Sequence, residues 1–309
     1  MVLLISDIQQ ITVPTAIALG NFDGLHRGHQ RVIAPVLANP SLVPTVVTFD
    51  PHPQEFFSKI PRLLLTPLPE KAAYLEKLGI KQLVLLPFTA KLAQLSPKEF
   101  IDQILINQLH AQEVSVGFNF RFGYQRAGSV ADLAEIWGDR LDIISEQVMF
   151  NGVRISSSTI REALAMGDVS RASYLLGRNY ILTGTVITGQ KLGRTIGFPT
   201  ANIQTHPQKF LPRDGVYAVR VTNNLTGDLI APTINEVNGV MNIGIRPTIA
   251  NSENPNQRAI EIHIFNWQGD LYGSEINVEI IKFLRPERKF ANLDQLKAQI
   301  KADCEQAVL

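Results

Sequence analysis

The segment Gly20-Asn21-Phe22-Asp23-Gly24-Leu25-His26-Arg27-Gly28-His29 decides how the rest of this chain is read. It follows the apolar run Thr15-Ala16-Ile17-Ala18-Leu19, which predicts a buried strand, and precedes a helical stretch from Gln30 to Leu37. Glycines in the turn let a ligand approach the backbone closely. The helix then opens with unpaired N–H groups and a positive dipole end directed at whatever lies in the turn. Two histidines three apart share one helix face and add donors at the same spot. Strand, glycine turn, helix start and paired histidines together predict a phosphate site. For any two histidines taken alone, a surface or N-capping role is the commoner one. Zinc is disfavoured, because the chain has one cysteine and no third His or Cys at ligand spacing nearby.

Outward from this segment the first half of the chain alternates. Strands are predicted at Ala16–Leu19, Thr45–Phe49, Gln82–Leu86, Val114–Val116 and Leu141–Ser145. Helices are predicted around Gln30–Ala38, Pro69–Leu78, Pro97–Leu109 and Val130–Trp137. This pattern predicts a Rossmann-like α/β unit, a parallel sheet with helices on both faces. Ligands in such sheets bind beyond the carboxyl ends of the strands, where the glycine–histidine segment lies. Two short helices follow, Thr159–Met166 and Val169–Leu176, with Gly167 and Gly177 at their ends and Asp168 as a cap.

After Gly177 the texture changes to Val-, Ile- and Thr-rich runs: Ile181–Thr188, Val216–Val221, Val240–Ile243, Ala259–Phe265 and Ile276–Phe283. They predict an antiparallel β-barrel or sandwich. Lys209–Gly215 and Asn251–Gln257 read as loops, and Asn292 caps a final helix with Leu293, Leu296, Ile300 and Cys304 on one face. Two domains are expected, 1–180 and 181–309.

A chain of 309 residues is long for one core, and 45% hydrophobic with 18% charged residues suits a soluble globular protein. A net charge of +1 gives no reason to expect nucleic-acid or membrane partners. A lone Cys304 precludes an internal disulfide and suits a reducing cytoplasm, its expected role being packing on the last helix. The N-terminus lacks the basic start of a signal peptide, no apolar run approaches membrane-spanning length, and the Asn224 sequon reads as a chance match.

Three more segments bear on the first site. Phe49-Asp50-Pro51-His52-Pro53 ends the second strand, and its prolines predict an extended turn holding Asp50 and His52; such a turn alone is usually only a turn. Gly117-Phe118-Asn119-Phe120-Arg121-Phe122-Gly123 ends a later strand. Alternating Phe is ordinarily core, but rings beside Arg121 also suit a flat heterocycle carrying phosphate. Arg154-Ile155-Ser156-Ser157-Ser158-Thr159-Ile160-Arg161 opens a helix; its hydroxyls read as caps, with Arg161 completing a second anion pocket.

In the second half, Gly184 to Gly189 is no Walker A loop, since Gln190 follows where Lys is required. Alternation puts Glu261 and His263 on the face opposite Ile260, Ile262 and Ile264. A strand carboxylate is usually solvated, and His263 is expected to hydrogen-bond structurally.

These motifs resemble two sets from one family. GxFDGxHxGH (Gly20–His29), FDPHP (Phe49–Pro53), NFRFG (Asn119–Gly123) and the Ile155–Arg161 stretch resemble prokaryotic FAD synthetases of the nucleotidyltransferase superfamily. Gly193-Arg194-Thr195-Ile196-Gly197-Phe198-Pro199-Thr200-Ala201-Asn202, Asn242–Thr248 and Ala259–Asn266 with Asp270–Gly273 resemble riboflavin kinase. Trp267 stands where that family has Phe, and Asp228–Val237 looks longer than the usual link. The resemblance implies a bifunctional riboflavin kinase/FAD synthetase, with riboflavin, FMN and ATP as substrates, FAD as product, and Mg²⁺ as cofactor.

It further implies His26 and His29 at the phosphates of the adenylyl transfer. Gly20, Phe22, Asp23, Gly24, Asn119, Ser157 and Arg161 would bind nucleotide there, and Asp50, His52, Phe120, Arg121 and Phe122 the flavin. In the kinase half it implies Glu261 as general base, Thr200 and Asn202 as metal ligands, Gly189 and Gly193 around the nucleotide, and Arg246 at the flavin. Two alternatives stay open: another small-molecule nucleotidyltransferase with an accessory barrel, and a flavin-binding sensor or carrier. Whether the chain forms a homo-oligomer is not read from the sequence.

Overall fold

Residues 2–145, 149–150, 152–189, 193, 196–223, 236–245, 258–267 and 269–308 are described by a computed structural model. The chain separates into two compact units, Met1–Ser157 and Ser158–Leu309.

In the first unit, six parallel strands form one sheet: β1 (Leu3–Ile5), β2 (Thr15–Leu19), β3 (Val43–Asp50), β4 (Gln82–Pro87), β5 (Ala111–Gly117) and β6 (Leu141–Ile144). Their order in space is β1-β4-β3-β2-β5-β6. The apolar runs are buried on both faces. Ile17, Leu19, Val47, Val84 and Val116 point to one core, and Ala16, Ala18, Val46 and Leu83 to the other. Helices cover both: α1 (Arg27–Ile33) and α3 (Leu68–Lys77) on one face, and α5 (Pro97–Glu99), continued as a π-helical turn over Phe100–Ile106, with α6 (Val130–Trp137) on the other. Strand order reverses between β2 and β5, so the crevice at their carboxyl ends is the topological switch point.

Two expectations need correction here, and two elements were not expected. The helix predicted over Gln30–Ala38 ends at Ile33, because Pro35 in the next turn cannot donate a helical hydrogen bond, and Ala34–Leu37 tightens to 3₁₀. The turn predicted over Phe49–Pro53 is shorter than expected: His52 is extended, and α2 (Pro53–Ser58) begins at the last residue of the motif. Pro53 occupies the first helical position, where its missing N–H costs nothing, and His52 is the N-cap. The short edge strand β1 and the helix α4 (Ala90–Gln94) were not expected. The hairpin β7 (Met149–Phe150) and β8 (Val153–Arg154) closes this unit.

The second unit opens with α7 (Ser157–Met166) and α8 (Val169–Leu176), the latter capped by Asp168, whose Oδ1 accepts from Arg171 N at 3.0 Å. Six antiparallel strands then close a barrel: β9 (Tyr180–Ile187), β10 (Ala201–Thr205), β11 (Gly215–Asn223), β12 (Val237–Ile245), β13 (Arg258–Ile264) and β14 (Glu275–Arg285), in the order β10-β13-β12-β11-β14-β9. Closure leaves no free sheet edge. The final helix α9 (Leu293–Gln306) covers part of the outer face, where Cys304 packs with Val216 and Ala218, and burial pushes its thiol up to about 11. Leu293, expected on the buried face, is 61% exposed, while Asp303 is buried and paired with Arg285 at 2.8 Å. Among the described residues no helix is long and apolar enough to cross a membrane. The Asn224 sequon, the loop expected at Asn251–Gln257, Arg246 and most of Asp228–Val237 lie outside the described residues.

Candidate active sites

The loop between β2 and α1 is held by buried polar groups. Thr66 N donates to Asp23 Oδ1 at 3.1 Å, and Gly24 N donates to Thr66 Oγ1 at 2.9 Å. Ser157 Oγ donates to the Asp23 carbonyl at 2.7 Å, so the hydroxyl-rich helix start reaches the glycine–histidine loop within the first unit. The Asn21 carbonyl accepts from Thr48 Oγ1 at 3.1 Å and from Lys71 Nζ at 3.0 Å. Two non-glycine residues, Phe22 (φ 48°) and Leu25 (φ 44°), sit in the left-handed region with their side chains fully buried. Such backbone persists only where its surroundings impose it.

The histidines divide their work. His26 is buried and is the N-cap of α1, its Nδ1 accepting from His29 N at 3.3 Å. The proton of its neutral form therefore sits on Nε2. The His29 ring stacks on His26 with centroids 3.6 Å apart and meets the Phe22 edge at 5.3 Å. His29 thereby faces a cavity of about 610 Å³.

That cavity lies at the switch point. Its wall brings together Gly20, Phe22 and His29 after β2, His52 after β3, and Asn119, Phe120, Arg121 and Phe122 after β5. Phe122 is at once wall and core: it is buried, with Phe120 at 5.7 Å and Phe100 at 5.4 Å between ring centroids. At the β3 side, His52 Nδ1 accepts from Gln54 N at 3.0 Å, and Arg62 Nη1 lies 3.1 Å from Nε2. Burial and then the Arg62 charge push His52 down to about 4, which keeps the imidazole neutral at pH 7. Asp23, Gly24 and His26 form the scaffold behind the wall. Asp50 is exposed at the end of β3 and is not part of the wall. Arg161 belongs to the second unit, where its guanidinium lies 5.9 Å from the Phe210 ring centroid.

In the barrel, register places Asn202 of β10 and Asn242 of β12 opposite Glu261 of β13, a row of two amides around a carboxylate. Burial along β13 alternates as the spacing predicts, with Ile260, Ile262 and Ile264 buried and Glu261 and His263 half-buried on the other face. The ring Nδ1 of His263 donates to the Pro199 carbonyl at 2.8 Å, the structural role expected of it. Thr200 lies in the wall of a second cavity, about 460 Å³, with Trp267, Asp270 and Tyr272; Glu261 points away from that wall. Gly189 and Gly193 approach the same segment closely. A Cβ at Gly189 would collide with the Asn202 amide; one at Gly193 would collide with the Phe198 carbonyl and lie 3.3 Å from Thr200 Oγ1.

This cradle of a hydroxyl and a carboxamide oxygen fits a hard cation such as Mg²⁺, which takes oxygen ligands and is bound by few protein groups when phosphates complete its shell. Among the described residues no cluster of His, Cys, Asp and Glu could hold a metal by itself.

Sequence reasoning missed Lys71, Thr66 and Thr48 beneath the first loop. A signal existed for Lys71, since it falls on the same face of α3 as Leu68, Leu75 and Leu78, where an amphipathic helix should carry no charge. It also missed Asn242 as a neighbour of Glu261, because cross-strand register is not visible in one strand.

Family models match both halves, FAD synthetase over residues 8–159 and riboflavin kinase over residues 176–308. A Bacillus subtilis protein described as bifunctional riboflavin kinase/FMN adenylyltransferase is 38% identical over 97% of this chain and 94% of its own. Proteins of the same description from Haemophilus influenzae (40% identical, 94% and 92% covered) and Escherichia coli K12 (39%, 93% and 90%) match similarly. A solved structure from Streptococcus pneumoniae, titled a macrolide-efflux protein, superposes with a TM-score of 0.84 and 29% identity over 99% of this chain and 98% of that one. Two family models occupying successive halves, and relatives aligned over nearly the full length, give one conclusion: the chain belongs to the family of bifunctional riboflavin kinase/FMN adenylyltransferases.

Proposed function

We propose that the chain uses ATP twice, phosphorylating riboflavin to FMN in residues 181–309 and adenylylating FMN to FAD, with release of pyrophosphate, in residues 1–180. One observation carries the reading. The switch-point cavity presents a histidine-lined helix start on one side and an arginine–phenylalanine loop on the other. Those are the two surfaces that a phosphate chain and a flat ring system require.

In adenylyl transfer no protein nucleophile is needed. The FMN phosphate attacks the α-phosphorus in line while the chain positions it and offsets charge on the leaving pyrophosphate. His29, backed by His26, contacts the phosphates; Ser157 holds their far end; Asn119 fixes the α-phosphate region. Phe120, Arg121 and Phe122, with His52, receive the flavin. In the kinase step Glu261 takes the proton from the ribityl 5′-hydroxyl as its oxygen bonds to the γ-phosphorus and ADP leaves. Thr200 and Asn202 would hold Mg²⁺, which when bound neutralises charge on the transferred phosphoryl group. Gly189 and Gly193 border the nucleotide with their backbone, and Arg246 binds the flavin.

The reactants are small molecules. We infer a cytoplasmic enzyme with neither nucleic-acid nor membrane partners, whose association into oligomers would be read by sedimentation. The test of function is one mixture: the chain, riboflavin and Mg·ATP, with flavins resolved by chromatography over time. FMN should appear first and FAD after it. Unchanged riboflavin would leave only a flavin carrier, and FMN without FAD would remove the assignment of the first cavity.

A further inference from the structure

Lys71 is a buried lysine that neither reaction step described above uses. It lies on the apolar face of α3, 9% exposed, with Nζ donating to the Asn21 carbonyl at 3.0 Å. A buried ammonium is expensive unless it is paired. Burial lowers the Lys71 pKa, and the carboxylates of Asp23 and Asp50 oppose that shift. Asp23 is itself buried and in the same loop. The Lys71 amino group sits under the turn that opens α1, bonded to the peptide just before Phe22.

That peptide leads into the strained stretch between Phe22 (φ 48°) and Leu25 (φ 44°), and Asn21, Phe22 and His29 all belong to the cavity wall. A backbone in this region needs external bonds to keep it there. Thr48 shares the Asn21 carbonyl with Lys71 but brings no charge.

We propose that Lys71 is a positioning residue for adenylyl transfer: its buried amino group holds the Asn21 carbonyl, and with it the Asn21–Leu25 backbone, in the geometry that receives the phosphates. This rests on the assignment of adenylyl transfer to the switch-point cavity. Lys71 touches no reacting atom; it acts through the loop. Misplacement of a reacting group by about 1 Å costs on the order of 10²-fold in rate, and substrate contacts farther along the cavity would be spared.

The experiment uses the full chain with Lys71→Met, which keeps length and removes charge and donor, and Lys71→Gln, which keeps a donor without charge. Three quantities are measured: kcat and KM for FMN adenylylation, kcat for riboflavin phosphorylation, and amide hydrogen exchange over residues 20–26. The expected result for Lys71→Met is a fall in adenylylation kcat of about 10²-fold, an FMN KM changed less than about threefold, unchanged riboflavin phosphorylation, and faster exchange in residues 20–26. Lys71→Gln should fall between it and the parent, and it carries the same test if Lys71→Met does not fold.

Adenylylation kept within about twofold would overturn the proposal. So would a kcat loss without faster exchange, since the charge would then act directly, and so would a loss that disappears on cooling, since Lys71 would then only stabilise the fold. Failure of the underlying assignment looks different: His29→Ala, made in parallel, would leave adenylylation intact.

Discussion

At the scale of single residues, His26 and His29 show how one motif holds two unlike side chains. His26 is consumed by structure, capping α1 and stacking beneath its partner, whereas His29 faces the cavity. His29→Ala should therefore lower FMN adenylylation by about 10²–10³-fold, the usual cost of removing a charge-stabilising donor, and leave riboflavin phosphorylation intact. Separate assays from FMN and from riboflavin read the two effects. Glu261→Gln makes the opposite prediction. It preserves shape and an acceptor oxygen but takes no proton, so phosphorylation should drop about 10²–10⁴-fold in kcat with KM little changed. Near-normal turnover would leave Glu261 a solvated strand carboxylate. His52 gives a prediction about stability. Its imidazole titrates near 4 in the folded chain against 6.5 when free, so between those values only the unfolded chain carries the proton. Stability should fall as pH drops from 6.5 towards 4, with no contribution above pH 7. His52→Asn keeps a cap acceptor for Gln54 N and should flatten that slope, as urea unfolding at pH 7 and pH 5 would reveal.

At the scale of elements, the loop after β5 depends on its last residue. Gly123 has φ 71°, and a Cβ there would lie 2.9 Å from Pro97 N at the start of α5. Gly123→Ala should cost about 1–2 kcal/mol for the left-handed conformation alone, and relief of the contact would shift Phe120 and Arg121. The expected outcome is a raised KM for FMN in adenylylation and a lowered melting temperature; unchanged values for both would refute the role given to this loop. Elements were legible where apolar spacing was long and regular, as in β3, α6 and β13. They were not where the deciding contact was distant. The turn at Pro51–Pro53 reads as extended from proline chemistry, yet the Arg62 backbone N–H donates to Glu55 at 2.7 Å and helps hold α2. Leu293 fits a helical stripe, yet it is exposed at the first position of α9.

At the scale of the molecule, α8 belongs with the barrel rather than the sheet, burying Val169, Ala172, Leu175 and Leu176. A fragment of residues 158–309 should phosphorylate riboflavin and make no FAD. One beginning at 181 loses that apolar cover and should aggregate or melt lower; calorimetry and a flavin assay on both fragments check this. FAD formed by 158–309 would contradict the division of labour. The sequence alone determined both folds, because hydrophobic period and turn chemistry are local properties that strand and helix formation obey directly. It also determined the family and pointed to the loops that line the first cavity, because those motifs are contiguous in the chain. Only the tertiary structure decided which side chains meet. Strand order made the crevice between β2 and β5, register set Asn202 and Asn242 beside Glu261, and helix packing buried Lys71 beneath the Asn21 carbonyl. Those are contacts between residues far apart in the chain, and they follow from how buried surfaces and buried charges find partners, which no single segment encodes.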